Sequence, residues 1–241
     1  MIKRLFIDIE TSPNVAYIWR PGHKLSIDYS NIVEERQIIT VCWKWQGEDT
    51  VHSVDWGSKQ DDAKIVKKVI PLLEEADEVV AHNGGKFDIP WIRGRALFHR
   101  VPMSPKVQIV DTLTLARRYF NLNSNRLDYI GKYLGLEGKI GTDYSLWKRV
   151  MAGEVAALRE MVAYCKRDVE LLEEMWDIAS PYFPPRTHST GNRGECPECG
   201  SGNLTVNKRR MTSAGHKQVQ LVCGDCGKYH TMPAKKWDKV R

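Results

Sequence analysis

The sequence predicts an α/β protein in which a mixed sheet of five strands is flanked by helices and followed by a small metal-stapled module. Three observations predict it: strand-like segments early in the chain, helical periodicity broken by two further strands in the middle, and two Cys-x₂-Cys pairs near the end. Residues 4–9, 37–45 and 50–56 are rich in β-branched and aromatic side chains and read as successive antiparallel strands. Across 59–75, Ile65, Val69, Leu72 and Leu73 fall at helical spacing, and 78–82 reads as a strand, which implies a helical crossover. Further helical patterns occupy 89–99, 113–120, 127–136 and 154–179, with a strand at 107–110. Antiparallel strands followed by β-α units leave few architectures open, and the mixed sheet with helices on its faces is one of them. Pro181, Pro184, Pro185, Gly191 and Gly194 give 180–195 the composition of a linker. We therefore expect one domain over 1–183, a linker over 184–195 and a second module over 196–241.

With 42% hydrophobic and 27% charged residues among 241, the composition is that of a folded globular protein rather than a disordered or fibrous one. The first residues run directly into a strand pattern, and no apolar run is long enough to span a bilayer, so the expectation is a cytoplasmic protein with no membrane partner. The net charge of +6 is unevenly spread. Residues 184–241 hold 11 Lys and Arg against 4 Asp and Glu, while 1–183 hold 25 against 26. A small basic segment suits a polyanionic partner, nucleic acid above all, although a solubilising tail has the same composition.

Asp8 and Glu10 lie two apart at the end of the first strand, so both project from one face. Two acids there are costly unless exposed or neutralised, and a hard cation such as Mg²⁺ neutralises them. Asp88 closes the stretch His82-Asn83-Gly84-Gly85-Lys86-Phe87-Asp88, whose glycines permit an irregular turn, and a helix cap explains it equally well. Tyr164 and Asp168 lie four apart on one face of a helical pattern, as surface pairs often do. Asp111, at another strand end, reads as the cap of the helix that follows, and His82 reads as a packed or solvated histidine.

Taken jointly and in order, Asp8-Ile9-Glu10-Thr11, Asn83 through Asp88 and Tyr164-Cys165-Lys166-Arg167-Asp168 resemble the three motifs of the DEDD exonucleases, whose fold is ribonuclease H-like. Tyr164, four residues before the last acid, marks the DEDDy type. Residues 127–136 are similar to a helix of polymerase-B-like proofreading exonucleases. The resemblance implies two Mg²⁺ or Mn²⁺ ions, with Asp8 bridging both, Glu10 and Asp168 completing the first site, and Asp88 reaching the second through water. It assigns Tyr164 to the attacking water, and Thr11 and Asn83 to the terminal nucleotide. The implied activity is 3′-to-5′ hydrolysis of DNA ends, single-stranded or frayed. A ribonuclease of the same chemistry remains an alternative, because telling the 2′-OH apart depends on site geometry. A non-catalytic nucleic-acid-binding or regulatory protein on the same fold is another. A proofreading role would require a separate polymerase chain, or another replication or repair protein, as partner.

Cys42 and Cys165 fall inside apolar patterns and read as buried small hydrophobes. Cys196, Cys199, Cys223 and Cys226 form two knuckles, each followed by glycine, at the spacing of a Cys₄ zinc ribbon. A redox pair would need only one such knuckle in a thioredoxin-like context. Residues 204–210 and 218–222 read as a hairpin between the knuckles, with a core so small that one structural Zn²⁺ must hold it. Lys208, Arg209, Arg210, Lys217, Lys235, Lys236 and Lys239 are candidates for phosphate contacts. A ribbon that is only structural, or that docks a protein, fits the same residues.

Overall fold

The structure, a computed structural model, describes residues 2–22, 25–138 and 141–240. β1 (Arg4–Thr11) is followed by two short strands, β2 (Val15–Ala16) and β3 (Ile32–Glu34), then by β4 (Ile38–Trp45) and β5 (His52–Asp55). Helix α1 (Ala63–Glu75) leads to β6 (Glu78–Ala81), α2 (Asp88–His99), β7 (Ile109–Asp111) and α3 (Thr112–Tyr119). Helices α4 (Leu127–Tyr133), α5 (Tyr144–Met151) and α6 (Val155–Ala179) complete the first unit. β8 (Leu204–Met211), β9 (Lys217–Cys223), β10 (Tyr229–Pro233) and the short α7 (Ala234–Trp237) form the second.

Five strands pair in the order β5-β4-β1-β6-β7, antiparallel on the β4 and β5 side and parallel on the β6 and β7 side. This is the mixed sheet expected. Alternation along β1 sends Leu5, Ile7 and Ile9 to a core shared with Ile65, Val69, Ile89 and Ile92 of α1 and α2. Phe6 faces the other core with Leu115, Ile130, Val169 and Leu172 of α3, α4 and α6. Asp8 and Glu10 share the face of Phe6, so both acids turn towards α6.

Helix α1 begins later than the periodicity suggests, at Ala63 rather than residue 59. Gln60 takes a left-handed φ of 51°, and Asp62 is fully buried as a hub. Its carboxylate accepts from Arg95 at 2.6 and 2.8 Å and from the Ile38 N–H at 2.9 Å, and it lies 2.6 Å from His99 Nε2. Burial opposes that charge, but these donors hold Asp62 below the ordinary carboxylate range. Helix α5 and the strands β2, β3 and β10 have no counterpart in the sequence reading.

The second unit is a three-stranded sheet, ordered β10-β9-β8, over a small core of Leu204, Val219, Leu221 and Trp237. It sits on the foot of the large sheet. Glu198, inside the first knuckle, pairs with Arg4 at 2.6 Å and lies 3.7 Å from Lys228. Arg4 also pairs with Glu78 at 2.7 Å and lies over the Trp176 ring, while Lys228 donates to the Ser180 carbonyl. Arg186, in the expected linker, donates to the Ile109 carbonyl at 3.0 Å. Among the described residues no helix is long and apolar enough to cross a membrane.

Candidate active site

The head of β1 carries two acids although it is still paired with the buried strand β4. Asp8 stands opposite Cys42 and Glu10 opposite Thr40, with a register irregularity just after Glu10. Helix α6 crosses beneath with Cys165 fully buried, its Sγ 3.4 Å from the Asp8 carbonyl and 3.6 Å from Asp8 Oδ2. That contact presents Tyr164 and Asp168, on either side of Cys165, to β1. One ligand oxygen from each of Asp8, Glu10 and Asp168 lies within 4.8 Å of the others. Two unit charges at such a distance repel by about 3 kcal/mol at an effective dielectric near 20. Hard oxygen donors converging in this way fit Mg²⁺ or Mn²⁺, and such an ion would relieve the repulsion.

Tyr164 is half-buried and hydrogen-bonded to Asp168. Burial first, then the charges of Asp168, Glu10 and Asp8, push its phenol well above the ordinary value. It therefore keeps its proton and can donate a hydrogen bond, but it cannot serve as a base near neutrality. Its ring meets Trp147 of α5 edge-on at 6.5 Å, and the Trp147 indole donates to the Thr11 carbonyl at 3.1 Å. Sequence reasoning missed Trp147, since its partners lie far away in the chain.

Asp88 stands outside the three-acid group. It is buried at the first turn of α2, and its carboxylate accepts from the Ile9 N–H, between Asp8 and Glu10. Burial raises its pKa to about 7; the charge of Asp111 adds to this, and the N–H groups of Asp88 and Ile9 oppose it. The turn before it is tightly constrained. Asn83 has a left-handed φ of 74°, and a Cβ on Gly84 would come within 2.4 Å of Ala81 Cβ. Asp111 caps α3 through the Thr114 N–H at 3.1 Å, as expected, and also accepts from the N–H groups of Asn83 (3.2 Å) and Gly85 (3.3 Å). It is thus a clasp on the second motif, and only the fold reveals this.

His82 is a bridge rather than a lone packed ring. Its Nε2 lies 2.9 Å from the Asn125 carbonyl, and Nδ1 lies 2.9 Å from Thr112 Oγ1. Beside it a cavity of about 470 Å³ opens from Asp8 towards Arg117, Asn125, Arg126 and Asp128. Both arginines are exposed, and the sequence reading passed over them.

At the other site Cys196 Sγ lies 3.6 Å from Cys226 Sγ, and Cys199 Sγ lies 3.6 Å from Cys223 Sγ. All four sulfurs lie within 4.8 Å of one another. Thiolates about 2.3 Å from a tetrahedral zinc ion are about 3.8 Å apart, whereas a disulfide needs about 2.05 Å. The set fits Zn²⁺. Gly200 (φ 79°) and Gly227 (φ 72°) take the left-handed turns that close the knuckles. The seven basic residues singled out in the tail are all exposed. In a third group, Asp61, Asp62 and His99, Asp62 is already committed to Arg95 and the Ile38 N–H, and Asp61 accepts from the Ala63 N–H at 3.0 Å.

A β5-β4-β1-β6-β7 sheet with carboxylates gathered at the head of its central strand has the architecture of a ribonuclease H-like nuclease, here joined to a Cys₄ module. The chain belongs to the RNase H superfamily, whose family model matches residues 33–180. No curated protein matches it. Among solved structures it is similar to the family B DNA polymerase from the hyperthermophilic archaeon Pyrobaculum calidifontis, at 17% identity and a TM-score of 0.57. That likeness covers 75% of this chain but 25% of the polymerase, and it speaks for the fold. Family and fold together support a nuclease.

Proposed function

We propose that the chain is a two-metal 3′-to-5′ exonuclease of the DEDDy type, acting on single-stranded or frayed DNA ends. The observation that carries this reading is the convergence of Asp8, Glu10 and Asp168 within 4.8 Å, beside a Tyr164 hydrogen-bonded to the last of them. Asp8, Glu10 and Asp168 hold one divalent cation, and Asp88 helps to hold a second through water. When bound, the two ions supply charge stabilisation for the attacking and leaving oxygens of an in-line displacement. Tyr164, kept protonated, orients the attacking water, and Trp147 fixes the phenol in place. Thr11 and Asn83 contact the terminal nucleotide. Arg117 and Arg126 offset the acids where the phosphate backbone passes.

The domain boundary falls at 184–195. The second module holds one structural Zn²⁺ and adds phosphate contacts through its exposed lysines and arginines. The likeness to a polymerase favours a partnership with a separate polymerase chain. The test is a ladder assay on 3′- and 5′-end-labelled DNA and RNA, single- and double-stranded, with Mg²⁺, Mn²⁺ or EDTA. Stepwise loss from the 3′ end of DNA, abolished by EDTA, is the expected result. Internal cuts would refute an exonuclease, RNA-only products would make it a ribonuclease, and binding without cleavage would leave a nucleic-acid-binding protein on a nuclease fold.

A further inference from the structure

Between β1 and β4 the chain leaves the large sheet and returns as an arm, residues 12–37, in which β2 pairs with β3. Its base is fastened. The Ser12 N–H donates to the Gln37 carbonyl at 2.9 Å, the Gln37 N–H to Ser12 Oγ at 2.8 Å, and the Arg36 N–H to Asn14 Oδ1 at 3.1 Å. Most of the arm, like β1 itself, precedes residue 33, where the superfamily match begins.

Beyond that base the arm exposes what folding normally hides. Tyr17 and Tyr29 are 79% and 83% exposed, and Trp19 is wholly in solvent at 105%. Rings gathered on one projection mark a contact surface. Arg20 follows Trp19 directly and Arg36 stands on the returning leg, while Asp28, beside Tyr29, accepts from the Ser30 N–H at 2.9 Å. Position points to the same partner as composition. The arm springs from Thr11, one residue beyond Glu10, and its returning leg places the Arg36 guanidinium 4.7 Å over the Trp91 ring of α2. Trp91 lies 6.0 Å from Phe87, the residue before Asp88. An aromatic and cationic track thus leads from the acids, by Phe87, Trp91 and Arg36, to the arm.

We infer that this arm grips single-stranded nucleic acid, the strand whose end lies at the acids, by stacking its bases on Trp19, Tyr17 and Tyr29 while Arg20 and Arg36 face its phosphates. The inference rests on reading the acid cluster as a nuclease site. Unpaired bases offer π faces to such rings whatever their sequence, whereas a duplex keeps those faces stacked on one another. The arm therefore selects for single strands without selecting a sequence.

The test uses the full chain with fluorescently labelled oligonucleotides in EDTA, so that binding is read without cleavage. Trp19→Ala should weaken binding of a long oligothymidine about 5- to 100-fold, the range measured for a base stacked on an aromatic ring. Trp19→Phe should recover most of it. An abasic strand of equal length should bind wild type as weakly as thymidine strands bind the variant, and the loss should shrink as the strand is shortened. Because the Trp19 side chain is fully exposed, melting temperature should be unchanged. Unaltered affinity of a Trp19→Ala, Tyr17→Ala double variant for long single strands would overturn the proposal. So would a fall in oligomeric size or in vesicle binding without any change in affinity for the strand, since the arm would then serve a second copy or a membrane. A parallel Mg²⁺ cleavage assay separates the two ideas. Arm-dependent binding with no wild-type cleavage defeats the nuclease reading alone, and 3′ shortening with an inert arm defeats this inference alone.

Discussion

The two ends of β1 handle metal-binding groups in opposite ways. At its head, three carboxylates crowd together on regular elements, Asp8 and Glu10 half-buried and Asp168 buried, repelling one another, with a cavity opening beside Asp8. At its foot, Arg4 is buried under the first of two knuckles whose four sulfurs converge on one point, with Glu198 reaching back to the sheet. A closed sulfur tetrahedron leaves no position for a substrate, so it stabilises. An open oxygen cluster leaves room, so it can act. Strain is tolerated at the head because the rest of the sheet fixes the acids, whereas the ribbon's few core residues make a core too small to stand without a cross-link such as a metal ion on the four cysteines.

The largest effect should come from the head. Asp8→Ala or Asp168→Ala should lower cleavage by more than about 10³-fold, while the melting temperature stays the same or rises as carboxylate repulsion is relieved. Turnover within tenfold of wild type for either variant would remove the metal assignment. Tyr164→Phe should slow cleavage by about 10- to 10³-fold with substrate affinity nearly unchanged, because the ring still packs on Trp147 while the water loses its donor. An unaltered rate would reduce Tyr164 to a packing residue.

At the foot, Cys223→Ser should take the zinc content from one ion per chain to none and unfold the ribbon. Proteolysis should then cut within the ribbon first, and the melting temperature of the large sheet should fall by a few degrees as Arg4 loses Glu198. An intact ribbon without zinc would break the contrast drawn here. Acidity probes the head again. Asp88 ionises at about 7 in the folded chain against an ordinary value of 3.8, so the native state keeps a proton that the unfolded chain has released. Stability without metal should therefore fall, by on the order of a few kcal/mol, as pH rises from about 4 through about 7, and then level off. Asp88→Asn should flatten that slope in denaturant titrations run in EDTA, and a slope that survives the substitution would mean another group dominates. The smallest effect concerns the basic tail. A chain ending at Phe183 should keep its saturated turnover but bind DNA more weakly and with a flatter salt dependence. Unchanged affinity and salt slope would leave the ribbon a purely structural or protein-docking module.

Much of this was legible in the sequence, because local pattern carries it. Alternation in residues 4–9 and 37–45 and helical spacing in 154–179 need no knowledge of partners, and the strands and helix of the structure match them within about two residues. The cysteine spacing likewise announces its own geometry, and Asp111 reads as a cap because a cap bonds within its own turn. What the sequence could not determine is whatever depends on residues distant in the chain. Trp147 reaches Thr11 across 136 positions, and Asp111 clasps a loop that precedes it by 26 to 28. His82 ties into the 125 region, and Arg4 meets Glu198 only because the knuckle seats on the foot of β1. The arm escaped for a related reason. Among the described residues its rings are largely exposed, so no periodicity marks them, and only the tertiary structure shows that they stand in solvent on an arm that leaves the end of β1. Short-range order is written in the spacing of side chains, whereas the partner of a charge or a ring is chosen by how the layers pack.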